Sequence, residues 1–263
     1  SIQELNKFED SKSQYARPII AKIFNDAANL LEGALVAAER ERMALLFPED
    51  GNAGITIVAN GVSYVYNYDP NGTWKANNYF QLTGTAKWSD SANANPFKDI
   101  DNAKQVINGN TGATIGTAMM NSTTFNLLLS NAKIYNRYIA RAGVSMSYLT
   151  RDEVRRVVED TAEVRILIYD KQYKDENKVA HKFVPDGYVA LLPDGALGNT
   201  WYGTTPEESD LMGNPKAEVS IVNTGVAITR EVTVMPVNVN TYASQIVLPS
   251  YERMDDVALL KVI

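Results

Sequence analysis

The side chains best suited to chemistry in this chain are its one histidine, His181, and three of its pairs of adjacent carboxylates. A histidine becomes a catalytic base when a nucleophile and an acid lie beside it. Paired carboxylates can hold a metal ion or divide the roles of acid and base. The three pairs are Asp152-Glu153, Glu207-Glu208 and Asp255-Asp256.

The sequence around these residues completes no such site. The chain has no cysteine, and no Gly-x-Ser-x-Gly nucleophile elbow accompanies His181. No calcium-loop pattern surrounds the carboxylates, and adjacent residues on a strand point to opposite faces. We therefore expect an exposed loop histidine, carboxylates that are solvated surface charge, and no catalytic, cofactor-binding or metal-ligating residues.

The glycine and arginine clusters are likewise expected to have structural roles. The glycines within 109–116 and 195–198 match neither the dinucleotide fingerprint nor a phosphate loop, so turns are expected there. Arg151, Arg155 and Arg156 form a small basic patch that acidic residues interrupt. A phosphate contact is one interpretation of this patch, and a set of ion pairs on a helix surface is the favoured one.

Composition sets broad limits on function. The chain has 263 residues, 45% hydrophobic and 21% charged, which suits one large domain or two ordinary ones. A net charge of -6 argues against a dedicated nucleic-acid binder. No apolar run reaches the roughly 20 residues of a membrane span, and no signal peptide opens the sequence. Because the first residue is Ser1, we expect a processed start or the loss of a longer N-terminal region.

The element that must position everything else is a long amphipathic helix over Pro18–Phe47. Pro18 suits a first turn, and Pro48 stops the helix. At 1.5 Å per residue the helix would be about 45 Å long, and it is expected to lie across the β-rich remainder of the chain. Gly33 inside it marks a bend or a close packing contact. The apolar stripe comprises Ile20, Phe24, Ala27, Leu31, Ala34 and Ala38.

The later sequence predicts shorter elements of both types. Asn60-Gly61 between two β-branched runs indicates a hairpin. Helices over Asp99–Asn108 and Arg151–Val158 interrupt a series of strands, and a polar turn is expected at Tyr173–Lys178. The pattern predicts an α+β fold with a discontinuous first lobe. Predicted strands are Ile55–Val58, Val62–Tyr66, Thr114–Met120, Val164–Tyr169, Phe183–Pro193, Ala217–Arg230, Val232–Val239, Gln245–Pro249 and an apolar end at Val257–Ile263.

Three stretches, taken in this order, resemble the lambda-type major capsid protein family, also called the major capsid protein E family. The third is the most specific, because it joins a Pro-Asp-Gly turn, a buried strand and a Tyr-Gly pair at unusual spacing. The stretches are Ala38–Leu46 at the end of the long helix; Trp88-Ser89-Asp90 with Asn95-Pro96 and Asp99-Ile100; and Phe183–Pro193 with Leu197-Gly198, Tyr202-Gly203 and Glu207-Glu208.

The resemblance implies an HK97-like fold with a peripheral and an axial domain. Mapped onto this chain, the spine helix is 18–47, the peripheral domain is 18–98 with 226–263, and the inserted axial domain is 99–225. Family members carry an N-terminal arm and an extended loop ahead of the spine helix. Here residues 1–17 are all that precedes it, as a residual arm. We therefore expect a truncated or proteolysed chain.

The function implied is that of a phage or prophage major capsid protein. Its copies would form the pentamers and hexamers of an icosahedral shell around DNA that is bound without sequence preference. Scaffolding, portal and decoration proteins are further possible partners. Assembly is expected in the bacterial host cytoplasm, followed by residence in the virion, with no membrane contact, cofactor or catalytic activity.

Two alternatives remain open at this stage. An encapsulin-like compartment shell would share the fold but enclose a protein cargo. An enzyme of unknown type would need a pocket with convergent polar groups.

Overall fold

The computed structural model describes residues 16–59, 62–143, 148–175, 177–210, 217–223, 225–234 and 237–263. Contacts within the chain divide it into two compact units. Unit 1 contains the described residues up to Glu41 and Thr200–Ser250, and unit 2 contains Arg42–Asn199 and Tyr251–Ile263. The predicted peripheral and axial domains are defined by position in a shell, so their assignment stays a prediction. Most of the predicted arm 1–17 lies outside the described residues.

Helix α1, Ala16–Leu46, is the predicted long helix with slightly shifted ends. Its burial increases toward its C-terminal end: Leu31 is half-buried, whereas Ala38 is 1% exposed. The side chains of the earlier stripe residues Ile20 and Phe24 lie outside the described ones. A Cβ at Gly33 would meet no atom within 4 Å, which argues against close packing as the reason for that glycine.

Unit 2 is built on a mixed five-stranded sheet with the order β3-β13-β8-β4-β5. The outer pairs β3/β13 and β4/β5 are parallel, and the inner pairs are antiparallel. Central strands β4 and β8 are buried along nearly their whole length, as sheets covered on both faces require. The strands are β3 Tyr79–Gln81, β4 Ile115–Met120, β5 Arg165–Ile168, β8 Tyr188–Pro193 and β13 Ala258–Lys261.

Helices complete the core of unit 2 and confirm the α+β class. Ile100, Ile107, Leu128, Ile134 and Val154 are each 0% exposed in one continuous hydrophobic cluster. The helices are α2 Thr73–Asn78, α3 Pro96–Thr111, α4 Ser122–Leu129, α5 Ala132–Ala142 and α6 Arg151–Ala162.

Helix α3 corrects the prediction for its segment. Asn95 caps its start, and Gly112 ends it in the left-handed conformation, so Gly109 lies inside the helix. Val106 is 36% exposed and does not belong to the buried face. The predicted helix over Asp99–Asn108 was thus correct in type and too short at both ends.

Unit 1 holds an antiparallel four-stranded sheet with the order β10-β11-β12-β9. The predicted strand Ala217–Arg230 divides at Gly225, which has φ +70 and lies so close to Tyr202 that a Cβ would be 2.7 Å from that ring. The predicted strand Gln245–Pro249 is the end of β12. The elements are β9 Thr200–Gly203, α7 Pro206–Asp210, β10 Ala217–Asn223, β11 Val226–Val234 and β12 Val237–Pro249.

Two hairpins stand apart from these sheets. Strands β1, Gly54–Ala59, and β2, Val62–Asn67, pair as predicted, with Ala59 opposite Val62. Their turn, Asn60-Gly61, lies outside the described residues. The polar turn predicted at Tyr173–Lys178 is correct in type but starts too early. Its first two residues belong to β6, Gln172–Lys174, and the chain turns after Asp175, whose carbonyl accepts from the Lys178 N–H at 2.9 Å, before pairing back through β7, Ala180–Lys182.

Candidate functional site

The densest polar arrangement is the α4 polar cluster, which comprises Asn121, Ser122, Thr123, Thr124, Asp170, Lys182 and Asp186. Asn121 is 1% exposed and forms its centre. Its Oδ1 accepts hydrogen bonds from the backbone N–H and the hydroxyl of Thr124, both at 2.8 Å. Its Nδ2 donates to the Val184 carbonyl at 2.9 Å and to Asp186 Oδ1 at 2.6 Å.

Two more chain segments join this cluster. The backbone N–H of Ser122 donates to Asp170 Oδ1 at 2.7 Å. Lys182 Nζ donates to Asp186 at 2.7 Å and to the Thr123 hydroxyl at 3.1 Å. The start of α4 therefore ties together the residues that follow β5, strand β7 and the turn before β8.

The electrostatics of the cluster favour a structural role. The hydrogen bond from the Ser122 hydroxyl lowers the pKa of Asp170. Burial alone would raise the pKa of Asp186, but hydrogen bonds from Lys182 and Asn121 outweigh it, and the pKa is lowered. Both carboxylates remain ionised at neutral pH and accept hydrogen bonds. Neither has the raised pKa that a general acid needs.

The cluster fixes the Pro185-Asp186-Gly187 turn, which belongs to the most specific motif of the sequence. Gly187 has φ +77, and a Cβ there would lie 2.0 Å from Ile263. Its N–H donates to the Thr124 hydroxyl at 2.9 Å, and its carbonyl accepts from the Val262 N–H at 2.8 Å. The glycine is required because α4, β8 and the last residues meet there.

The second motif builds the entrance to α3. Trp88 is 1% exposed, and its indole Nε1 donates to Asp99 Oδ2 at 2.9 Å. Its backbone N–H donates to the Val262 carbonyl at 2.8 Å. Asn95 Oδ1 caps the helix by accepting from the Lys98 N–H at 3.4 Å. Burial raises the pKa of Asp99.

His181 lies on strand β7, so the prediction of a loop position is wrong. Its ring stacks on Tyr173 with the centroids 5.3 Å apart. Its Nε2 lies 3.0 Å from Asp175 Oδ2, and this contact lowers the pKa of Asp175. The side chain is 43% exposed. These contacts stabilise the hairpin and bring no nucleophile to the imidazole.

The three carboxylate pairs lie apart and serve local structure. Glu153 forms a capping box with Thr150 at the start of α6, and these hydrogen bonds lower the pKa of Glu153. Asp256 forms an ion pair with Arg253 at 2.8 Å. Glu207-Glu208 begins α7. Among the described residues, no three His, Asp or Glu side chains are grouped to hold a metal ion.

Of the predicted arginine patch, Arg151 has the clearest contacts. Its guanidinium lies 5.0 Å from the centre of the Phe125 ring and donates to Asn126 Oδ1 at 3.0 Å. Arg151 therefore joins α6 to α4. The ion pairs predicted for the patch as a set stay a prediction.

Two shallow cavities lie on the described surface of unit 2. One, of about 390 Å³, lies beside the β1–β2 hairpin; its Asp69 accepts hydrogen bonds from the N–H groups of Trp74 and Lys75 at the start of α2. The other, of about 420 Å³, lies between α5 and α6 and is lined by Arg137, Ala140, Arg141, Asp160 and Thr161. Neither brings a nucleophile and a base together.

Exposed apolar side chains collect in two places. Opposed residues of an antiparallel pair share a face, so the register of β10, β11, β12 and β9 places four large side chains on one side of the unit 1 sheet. We call them the sheet patch: Ile221 46%, Trp201 63%, Tyr242 50% and Ile246 46% exposed. On β2, Tyr64, Val65 and Tyr66 are 50%, 69% and 42% exposed.

In the part of the chain that is described, no helix has the length and apolar character to cross a membrane.

Comparison with known proteins gives a family match. The model of the phage major capsid protein E family matches residues 36–262. No curated protein matches.

Two solved structures share the fold. A phage-related protein from Bordetella bronchiseptica RB50 has 15% sequence identity and a TM-score of 0.52, with 90% of this chain and 66% of that chain covered. A protein named as the "putative capsid protein of prophage" from E. coli CFT073 has 13% identity and a TM-score of 0.65, with 97% and 71% covered. The chain thus spans about two thirds of the length of these proteins.

Proposed function

The chain belongs to the phage major capsid protein E family, and we propose that it is the shell-forming subunit of a tailed bacteriophage or prophage. The family match over residues 36–262 is the observation that carries the proposal. A phage capsid function, with a place in the virion, follows from membership. The family implies a structural role for the chain.

We assign the chain an HK97-like fold with α1 as its spine helix. The support is the chain path: it leaves unit 1 after Glu41 and returns to it at Thr200. Such a path is what an inserted lobe produces. Unit 1 combines the first part of α1 with the long strands β11 and β12, which are the parts that a peripheral lobe requires.

Copies of this chain associate into pentamers and hexamers through the sheet patch and the β1–β2 hairpin. Soluble monomers rarely expose large contiguous apolar patches, and aromatic side chains are enriched at interfaces. The hairpin segment 54–67 contains no charged residue. Identical subunits with a net charge of -6 can therefore approach there with the least repulsion.

The shell encloses DNA and forms in the host cytoplasm, with scaffolding, portal and decoration proteins as further partners. An acidic wall suits this role, because a strongly basic one would retain the phosphate backbone that it must later release.

Light scattering coupled to size-exclusion chromatography tests the self-association. We expect the chain to be monomeric or to form small oligomers at micromolar concentration, with a mass that grows as the concentration rises, and electron microscopy shows whether closed particles form. Replacing Tyr242 and Ile246 by serine is expected to weaken association at least tenfold, at unchanged melting temperature. Val179→Ser, at a position that is 52% exposed and outside both surfaces, is the matched control. A chain that stays monomeric at all concentrations, or a control as damaging as the double variant, contradicts the proposal.

A further inference from the structure

We propose that one face of α5, formed by Lys133, Arg137 and Arg141, binds the backbone phosphates of duplex DNA. The helix sequence AKIYNRYIARA contains three basic residues and no acidic one. The basic residues follow one another at steps of four, which places them on one side of the helix. All three are exposed. We call this surface the cationic face.

A neighbouring side of α5 is anchored, so the cationic face is held toward solvent. Ile134 is 0% exposed in the core of unit 2. The Tyr138 hydroxyl donates to Glu153 Oε1 on α6 at 2.8 Å. At the start of the helix, Asn131 Oδ1 accepts from the N–H groups of Lys133 and Ile134. The helix is therefore fixed at its start and along its inner side.

The charges of the cationic face are largely available to a ligand. Within the described residues, Lys133 and Arg137 form no ion pair with a carboxylate. Arg141 pairs with Asp160 at 2.6 Å, but the two side chains are 66% and 52% exposed. An ion pair so exposed is screened by water and weak, so a phosphate can compete for the arginine.

The shape next to the face suits a phosphate backbone. The cavity of about 420 Å³ between α5 and α6 is lined by Arg137 and Arg141, together with Ala140, Thr161 and the Asp160 carboxylate that pairs with Arg141. Four helical residues rise about 6 Å, so the three charges extend over about 12 Å, whereas a duplex carries one phosphate per about 1.7 Å of its axis. Several phosphates are therefore within reach without distortion of the DNA.

The occupant is duplex DNA because the complementarity is one of charge alone. An exposed row of lysine and arginine without acidic neighbours on the same helix is suited to phosphates and carries no information about bases. Binding is expected to be independent of sequence, dependent on salt and weak, in keeping with a chain whose net charge is -6. Insofar as the DNA is the packaged genome, the inference rests on the proposed function and places this face of unit 2 toward the shell interior.

Fluorescence anisotropy of a labelled duplex of arbitrary sequence, titrated with the full chain at several salt concentrations, tests the inference. The test variant carries Lys133→Gln and Arg137→Gln. The matched control carries Lys174→Gln and Lys178→Gln, two exposed lysines of the β6–β7 hairpin region. We expect the test variant to lose about tenfold in affinity at low salt and the salt slope to fall by about 1.8, because each phosphate contact contributes about 0.9. The control should stay within twofold of the parent chain.

Three results would overturn the inference. One is the absence of duplex binding at low salt, and another is an equal loss in the test and control variants. The third is equal competition by polyglutamate of the same charge, which would indicate an acidic protein surface as the occupant. Circular dichroism melting checks that the variants fold. Self-association measured on the same samples separates the two proposals. If the chain associates but the parent, test and control chains bind DNA equally well, only the proposal for the cationic face fails. If the test variant alone loses DNA binding but no chain associates, only the proposed shell function fails.

Discussion

Unit 2 and unit 1 differ in how far their large apolar side chains are exposed to solvent. The continuous hydrophobic cluster that runs from Trp88 to Val262 lies within unit 2, and its members are nearly inaccessible to solvent. In unit 1, Trp201 is 63% exposed and Tyr242 50%, on one face of its sheet. The difference indicates that unit 2 is stabilised by its own core, whereas unit 1 presents apolar area that a second molecule can bury.

The two tryptophans of these regions give the sharpest test of the comparison. We expect Trp88→Ala to lower the free energy of unfolding by about 4 kcal/mol, since it removes a fully buried aromatic side chain. Trp201→Ala should cost less than about 0.5 kcal/mol in the monomer, as exposed substitutions usually do. Urea denaturation of both variants at low protein concentration measures the difference. Equal losses would show that the sheet patch is part of a core.

Helix α1 offers a second matched pair. Ala38→Asp should destabilise the chain by about 3 kcal/mol, because it buries an unpaired carboxylate at a position that is 1% exposed. Leu31→Asp should cost about 1 kcal/mol, because Leu31 is only half-buried. The apolar stripe of the sequence includes Leu31, so the sequence pattern alone predicts a severe effect there. Thermal denaturation ranks the two, and the reverse order would mean that the buried stripe runs through Leu31.

Asn121→Ala probes the polar side of unit 2. The substitution leaves the Val184 carbonyl and the N–H and hydroxyl of Thr124 without their Asn121 partner, and a loss of about 2 kcal/mol is expected. Thr123→Ala is the control, since this exposed residue contacts only the outer members of the cluster, the Lys182 amine and Asp186; it should cost less than about 0.5 kcal/mol. Comparable losses in chemical denaturation would show that the cluster is not centred on Asn121.

The smallest expected effect concerns Asp99. Because burial raises its pKa, the folded state holds the proton more tightly than the unfolded state. The stability that this provides is present below the unfolded pKa and is lost as the pH rises through the folded pKa. Asp99→Asn keeps an acceptor for the Trp88 indole, so it should be slightly more stable than the parent chain at pH 7.

The advantage of the Asp99→Asn variant should vanish in acid. Asp170 serves as the contrast: its pKa is lowered, so its contribution is lost as the pH falls through the folded pKa. Melting curves between acid and neutral pH would show both the effect of Asp99 and the opposite effect of Asp170 on stability. A variant that is less stable than the parent at every pH would contradict the burial argument.

The spacing of apolar residues predicted those helices and strands in which a single helical or strand period is clear. The long helix, the β1–β2 hairpin and strand β4 have unbroken apolar spacing or a clear turn signal. Helix α5 was missed although Ile134, Tyr135, Tyr138 and Ile139 recur at helical spacing. An Asn131 cap before it and a Gly143 end after it were further available signals.

The α4 polar cluster could not be predicted as an assembly. Asn121 and Asp186 are separated by 65 residues, and no local rule joins positions so distant. The segment Asn121-Ser122-Thr123-Thr124 does carry the composition of a helix cap, and Asn121 is the cap. Only the sheet order, which brings the ends of β4 and β5 beside the start of β8, explains why these side chains meet.

The position of β13 has a consequence for synthesis on the ribosome. This strand lies between β3 and β8, and the Trp74 indole next to β3 donates to the Met254 carbonyl, 180 residues later. Pairing over such a separation gives a high contact order and slow folding. During translation, β3 and α2 cannot form their contacts with β13 and the Met254 carbonyl until nearly all of unit 2 has left the ribosome. The native surface of unit 2 therefore exists only on chains translated through β13, which keeps nascent fragments from competing with finished subunits.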